Sequence, residues 1–335
     1  MKYRTLGRTG LEVSVIGFGG IPIQRVNHAA AQEIMEKALE AKINFFDTAR
    51  AYSDSEEKMG QVLGQHRDKV IIATKSLVRS KEKMARDIQI SLENLQVDTI
   101  DLYQIHNVRD VATLERVMSP GGALEALLEA KQKGLVKHIG VTSHIRDVVK
   151  AAMKHEVFET VQFPLNVVEA EGAEEILDMA RKTNTGTIIM KPLAGGALTN
   201  ADLALRFLLS YPVDTIIPGM DTVEQVLENT GLVDKQPLSE EELAALQAEG
   251  ERLGDTFCRR CEYCQPCPQG INIPMVFLQE AYYTRYGLTD WASSRYASLP
   301  AKVEDCSECG ECEAKCPYDL PIRDMLKEAE KTLTS

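Results

Sequence analysis

Phe45-Phe46-Asp47-Thr48-Ala49-Arg50-Ala51-Tyr52 is a short apolar run that ends on an acid, with a phenol five residues after that acid. Residues 13–19, 44–49, 70–75, 100–106, 138–143, 160–166, 187–192 and 215–218 are runs of this kind, short and rich in β-branched side chains. Helical periodicities over 29–42, 56–65, 81–96, 123–134, 145–155, 172–183, 203–211 and 223–229 alternate with them. Asp54, Ser80 and Thr222 read as helix starts and Gly134 as a stop. Apolar strands alternating with helices imply a parallel sheet. Eight such units in about 220 residues favour closure into a (β/α)8 TIM barrel over an open, doubly wound sheet. An open sheet would more often carry G-x-G-x-x-G after its first strand, a spacing that Gly17-Phe18-Gly19-Gly20 lacks.

The chain of 335 residues has room for one large domain and a small one. Residues 3–13 read as a hairpin around Gly7-Arg8-Thr9-Gly10. A net charge of −12 argues against nucleic acid as a partner, because a phosphate backbone needs a basic face. No apolar run reaches membrane-spanning length and no signal peptide opens the chain, so a cytoplasmic protein without a membrane partner is expected. All eight cysteines lie after residue 257, which marks a boundary. The expected division is a barrel over 1–235, a linker helix over 236–254 opened by Ser239 and three glutamates, and a cysteine-rich, mainly α-helical module over 255–335.

In a closed barrel the strand mouths share one rim, so Asp47 and Tyr52, Lys75, and His106 would converge from the second, third and fourth strands. Taken singly, an acid or lysine ending a strand is commonly a solvated charge, a tyrosine there is packing, and a lone histidine is a hydrogen-bonded core residue. Four such residues in order change that balance, because they make a proton-transfer set: a phenol to donate, an ammonium to stabilise the phenolate, and an aspartate to keep that ammonium charged.

Phe46-Asp47-Thr48-Ala49 with Tyr52, Thr74-Lys75, and Asp101-Leu102-Tyr103-Gln104-Ile105-His106 together resemble the aldo-keto reductases, from Arg4-Thr5-Leu6-Gly7 to Glu228-Asn229. The resemblance implies an NAD(P)H-dependent oxidoreductase that reduces a small-molecule carbonyl, an aldehyde or ketone, to an alcohol. Tyr52 would then be the proton donor, Lys75 paired to Asp47 its activator, and His106 the group that orients the carbonyl. By the same resemblance, Gly20, Ser143, His144 and Gln162 would face the nicotinamide, with His144 where an asparagine is usual. Lys191-Pro192-Leu193-Ala194-Gly195-Gly196 would lie along the pyrophosphate, and Gly219, Gln225 and Asn229 at the adenosine end. NADP(H) is the cofactor the family implies. Gly219 and Gln225 stand where many members carry a lysine and an arginine for the 2′-phosphate, which leaves NAD(H) open. Each of these positions also has a plain reading: Gly195-Gly196 as a turn, Asn229 as a helix cap.

Cys306-x2-Cys309-x2-Cys312-x3-Cys316-Pro317 has the spacing of the bacterial ferredoxin run. Cys258-x2-Cys261-x2-Cys264-x2-Cys267-Pro268 is one residue shorter before its last cysteine. By the two-cluster rule, Cys258, Cys261 and Cys264 with Cys316 would hold one [4Fe-4S] cluster, and Cys306, Cys309 and Cys312 with Cys267 the other. Zinc would use only paired C-x2-C, and disulfides lack the support of a signal peptide, so both stand below iron. The module resembles the ferredoxin-like tails fused to a subset of aldo-keto reductases. Because hydride moves two electrons and a cluster passes one, a second reading stays beside carbonyl reduction: an electron-transfer protein coupling a nicotinamide or flavin in the barrel to the clusters and a partner protein.

Overall fold

The structure, a computed structural model, describes residues 1–253, 257–259, 264–286, 289–316 and 318–335. These form two compact units, Met1–Gln247 and Ala248–Ser335. In the first, β1 (Tyr3–Thr5) pairs antiparallel with β2 (Glu12–Ser14) as the expected hairpin. Eight parallel strands follow in sequence order: β3 (Phe18–Gly19), β4 (Phe45–Asp47), β5 (Ile71–Ser76), β6 (Ile100–Ile105), β7 (Val136–Thr142), β8 (Thr160–Pro164), β9 (Gly186–Met190) and β10 (Thr215–Ile216). The last meets the first: parallel bridges join Ile16 to Ile216 and Gly19 to Gly219, with Gly17 N–H donating to Ile216 O at 2.8 Å and Gly19 N–H to Pro218 O at 2.9 Å. These contacts close the barrel.

Outside the strands run α1 (His28–Glu40), α2 (Ser55–Leu63), α3 (Lys81–Leu95), α4 (Val111–Met118), α5 (Ala123–Gln132), α6 (Arg146–Met153), α7 (Ala173–Thr183), α8 (Ala201–Leu209), α9 (Val223–Gly231) and α10 (Glu240–Arg252). The strand period of two decides what goes where. Phe46, Ile72, Tyr103, Ile139, Val161 and Ile189 pack with the inner faces of the helices in the large core. Their alternates Phe45, Ala73, Leu102 and Ile188 join Leu6, Val13 and Ile217 in a separate cluster. That second cluster is the barrel interior, and Leu6 and Val13 of the hairpin belong to it.

Of the sequence-derived helix starts, Asp54, Ser80 and Thr222 are all N-cap residues, but only Thr222 caps with its side chain, accepting from Gln225 N–H at 3.2 Å. Ser239 and Glu242 form the reciprocal pair expected at the head of α10, at 3.1 and 2.9 Å. The segment 107–121, which lies outside the helical periodicities of the sequence, contains α4: Asp110 caps it at 2.6 Å, and Leu114 and Val117 bury its inner face.

The second unit has its own core, in which Ile271, Val276, Tyr282, Tyr296, Leu320 and Leu326 surround the buried thiols Cys264 and Cys312. Its helices are α11 (Ile273–Tyr286), α12 (Thr289–Ala297), α13 (Glu311–Ala314) and α14 (Ile322–Leu333). Among the described residues no helix is long and apolar enough to cross a membrane.

Candidate active site

On four strands the position two residues beyond an interior-facing side chain is polar. Phe45 is followed by Asp47, Ala73 by Lys75, Leu102 by Gln104, and Thr160 by Gln162. All four polar residues are buried at or beside the C-terminal strand ends, where barrel enzymes build their sites. The Lys75 ammonium donates to Asp47 Oδ1 at 2.5 Å and to Thr48 O at 2.9 Å. Gln104 Nε2 donates to Asp47 Oδ2 at 3.2 Å and to Gln162 Oε1 at 2.9 Å. A single polar layer therefore floors the rim, and Gln104, an interior position of the histidine strand, is a member that sequence reading did not single out.

Tyr52 and His106 stand above this layer with ring centroids 6.0 Å apart, edge to face at 87°. Lys75 Nζ lies 5.1 Å from the Tyr52 ring centroid while it donates to Asp47. Asp47, Tyr52, Lys75 and His106 thus come together. Burial works against the Lys75 ammonium, yet the charge of Asp47 and the phenol of Tyr52 outweigh it and hold its pKa above the ordinary lysine value. Burial lifts the Asp47 carboxyl, opposed by Lys75 and by hydrogen bonds from Gln104 and Gln162. His106 lies well below the histidine range because burial and the cations Lys75 and Arg79 all disfavour its imidazolium, so the ring is neutral at pH 7. His144 is depressed in the same way by burial, Lys191 and His106.

The remaining nicotinamide candidates are spread over the mouths of β3, β7, β8, β9 and β10. Gly20 N–H donates to Asp47 O at 2.8 Å, and a Cβ there would stand 2.9 Å from the same carbonyl oxygen, so glycine suits the close approach of the first strand mouth to the second. The Ser143 hydroxyl donates to Val108 O at 2.7 Å and accepts from Ile145 N–H at 3.0 Å. Lys191, Ala194, Gly195 and Gly196 all have left-handed φ, and the turn through Pro192 and Leu193 folds so that Leu193 O accepts from Gly196 and Ala197 N–H at 2.8 and 3.0 Å. Gly219 packs against Pro22, Gln225 Oε1 accepts from Asp221 N–H at 2.8 Å, and Asn229 is buried in α9. No side-chain cation stands at 219 or 225; Arg25 nearby pairs with Asp221 at 3.6 Å.

Gln104 Oε1, His106 Nδ1, Asn107 Oδ1 and His144 Nδ1 are buried polar atoms that find no partner among the described residues, and all four belong to the mouths of β6 and β7. Buried polar groups are ordinarily paired, so this concentration of unmet hydrogen-bonding capacity suits a polar ligand beside Tyr52 and Lys75.

In the second unit, Cys267, Cys306, Cys309 and Cys312 line one cavity, with Arg323 and Leu326 on its wall. These four belong to the proposed cluster built from the second cysteine run and the last cysteine of the first. A cube of iron and sulfur is held at its corners by thiolates that stand apart, whereas zinc draws its ligands to one point. Among the described residues, no group of three or more His, Cys, Asp or Glu side chains gathers in that way. Burial raises the Cys312 thiol above its ordinary pKa. Cys258, Cys264 and Cys316 pack in or against the same core; Cys261 lies outside the described residues.

Residues 15–202 match the model described as the Aldo/keto reductase family, and residues 257–321 match a 4Fe-4S dicluster domain. An uncharacterised oxidoreductase, YqkF, of Bacillus subtilis is 26% identical over 302 residues, covering 74% of this chain and 96% of that protein. L-galactose dehydrogenase of Arabidopsis thaliana is 28% identical, covering 72% and 93%. The 6-dehydroglucose reductase of Novosphingobium aromaticivorans is 30% identical, covering 64% and 76%. Among solved structures, aldo-keto reductase AKR11C1 from Bacillus halodurans superposes with a TM-score of 0.65 at 26% identity, covering 74% of this chain and 96% of that one.

Proposed function

Since the chain belongs to the aldo/keto reductase family and carries a 4Fe-4S dicluster domain, we propose that it reduces an aldehyde or ketone to an alcohol with Tyr52 as proton donor. The observation that carries this reading is the Lys75 ammonium, buried, bonded at 2.5 Å to Asp47 and lying 5.1 Å from the centroid of the Tyr52 ring. Gly20, Ser143, His144 and Gln162 would hold the nicotinamide of NADPH or NADH, which when bound would supply hydride to the carbonyl carbon. Tyr52 gives its hydroxyl proton to the carbonyl oxygen as negative charge grows there, and the adjacent ammonium stabilises the phenolate left behind. Asp47 keeps that ammonium charged in a desolvated site, since a buried lysine without a counter-ion loses its proton. Neutral His106 offers the carbonyl oxygen a hydrogen bond without a competing charge, and the Gln104–Gln162 layer fixes Asp47 from below.

In the tail, Cys267, Cys306, Cys309 and Cys312 would hold one [4Fe-4S] cluster, and Cys258, Cys261, Cys264 and Cys316 a second. The cavity lined by the first four supports that division. Intact thiols suit a reducing compartment such as the cytoplasm, and the clusters suit exchange with a one-electron partner protein.

Replacing Tyr52 by Phe is expected to lower carbonyl reduction roughly 10²- to 10⁴-fold without changing iron content; undiminished turnover would remove the proton-donor role. In the same assay Cys309→Ala should bleach part of the iron–sulfur absorbance. If NADPH reduced the clusters with no flavin added, the electron-transfer reading would take precedence.

A further inference from the structure

The turn after β6 carries His106, and its backbone is held by a residue from another loop. Arg79, in the connection between β5 and α3, donates from Nη2 to His106 O at 2.7 Å and to Asn107 O at 2.8 Å. One guanidinium nitrogen therefore covers two successive carbonyls. The turn is conformationally demanding: Asn107 is left-handed with φ 51°, and its side chain is buried with Oδ1 unpartnered among the described residues. On its far side, Asn107 N–H donates to Thr142 Oγ1 at 2.7 Å and Val108 N–H to Thr142 O at 2.8 Å, while Val108 O accepts from Ser143. Arg79 and the end of β7 clamp residues 106–108 from two sides.

We infer that Arg79 is a positioning residue for His106, fixing the backbone from which the imidazole reaches the substrate carbonyl and keeping the positive charge beside that imidazole. The inference rests on His106 acting in the pocket proposed above. Two properties suit arginine to the task. Its planar fork holds donors in fixed directions, so it can bridge two carbonyls without the entropy a lysine would lose. It also stays charged: burial first, then Arg109 and Arg116, draw its pKa down to about 10 with Asp110 opposing, still above neutrality. The groups that face His106 are Lys75 from β5, Arg79 from the loop after it, Tyr52 from the loop after β4, and His144 from the loop after β7. Two of the four are fixed cations, so loss of one leaves the imidazole easier to protonate.

The test compares the iron-loaded full chain with Arg79→Gln, Arg79→Lys and His106→Ala, using an aromatic aldehyde as probe substrate and NMR of ring-labelled histidine to follow His106. R79Q is expected to lower kcat by roughly tenfold to a hundredfold while KM moves little, as a small misplacement of a reacting group does. Its His106 signal should titrate at higher pH than in the parent chain. R79K, which keeps the charge and loses the fork, should recover part of kcat and leave the His106 titration where it was. Parent-like kcat and an unmoved titration in R79Q, beside an inactive H106A, would overturn the positioning role. Should R79Q fail to fold, a His106 titration in R79K displaced as far as that of a free imidazole would overturn it equally. Full turnover in H106A would instead remove the role of His106 on which the inference depends.

Discussion

Lys75 is the residue whose loss should be felt twice. It is 1% exposed, and the carboxylate it neutralises is 2% exposed. Lys75→Met would strand that carboxylate, at a cost of about 3–5 kcal/mol and a fall in melting temperature on the order of 10 °C. Adding Asp47→Asn to the same chain should recover much of the stability and none of the turnover. A double variant as unstable as the single one would show that the pair matters through packing rather than charge. At this scale the sequence was legible where chemistry sits at strand mouths. Asp47, Tyr52, Lys75 and His106 could be named because each residue type has a task there, and they do share one rim. Gln104 and Arg79 were not legible. A glutamine inside a strand carries no signal of facing inward until the register is known, and the carbonyls Arg79 serves lie 27 and 28 positions further along. Ser143 shows the reverse case, since its hydroxyl is engaged with Val108 and Ile145 of its own chain.

Between elements, two contacts make predictions about how the barrel is held. Glu159, just before β8, accepts from Lys131 at 2.6 Å, from His138 Nδ1 at 2.8 Å and from Ile139 N–H at 3.1 Å, which ties β7 to β8 at their N-terminal ends. Burial pushes its carboxyl up, but those bonds prevail and hold it down to about 2. A pKa depressed by folding contributes stability that is complete above the ordinary glutamate value and disappears as pH falls toward 2. Glu159→Gln should therefore cost about 2 kcal/mol at pH 7, with the gap to the parent chain narrowing below pH ~4.5. An equal gap at both pH values would refute the charge-based account. Gly60 of α2 faces α3 so closely that a Cβ would stand 2.2 Å from Asn94 O. Gly60→Ala is expected to force the two helices apart at about 1–3 kcal/mol, seen as a lower thermal midpoint. The alternation of strands and helices could be read from hydrophobic period alone, because buried parallel strands are apolar throughout. The helix α4 could not. It has only Leu114, Val117 and Met118 to mark its inner face, and an isolated turn-and-a-half of periodicity is easily taken for loop.

Over the whole molecule, the division into Met1–Gln247 and Ala248–Ser335, each with its own core, sets how iron loss should act. The smaller core includes Cys264 and Cys312, so removing iron takes away part of what holds that unit together and leaves the barrel's own packing intact. Calorimetry of the iron-loaded chain should show two transitions, and oxidative chelation should lower one alone; a single transition indifferent to iron would contradict this. The cysteines were readable as two runs, and the two-cluster rule already grouped Cys267 with Cys306, Cys309 and Cys312; the structure adds the one cavity that these four line. The seam of the barrel has a bearing on how the protein is made. Its first strand pairs with β4 along one edge, but its other edge bonds to a partner some two hundred positions downstream, through the pairs Ile16–Ile216 and Gly19–Gly219. On the ribosome, the open edge of the nascent sheet must wait, uncovered, for most of the message to be translated. Chaperone demand should accordingly peak late in elongation and end abruptly once residue 219 clears the exit tunnel.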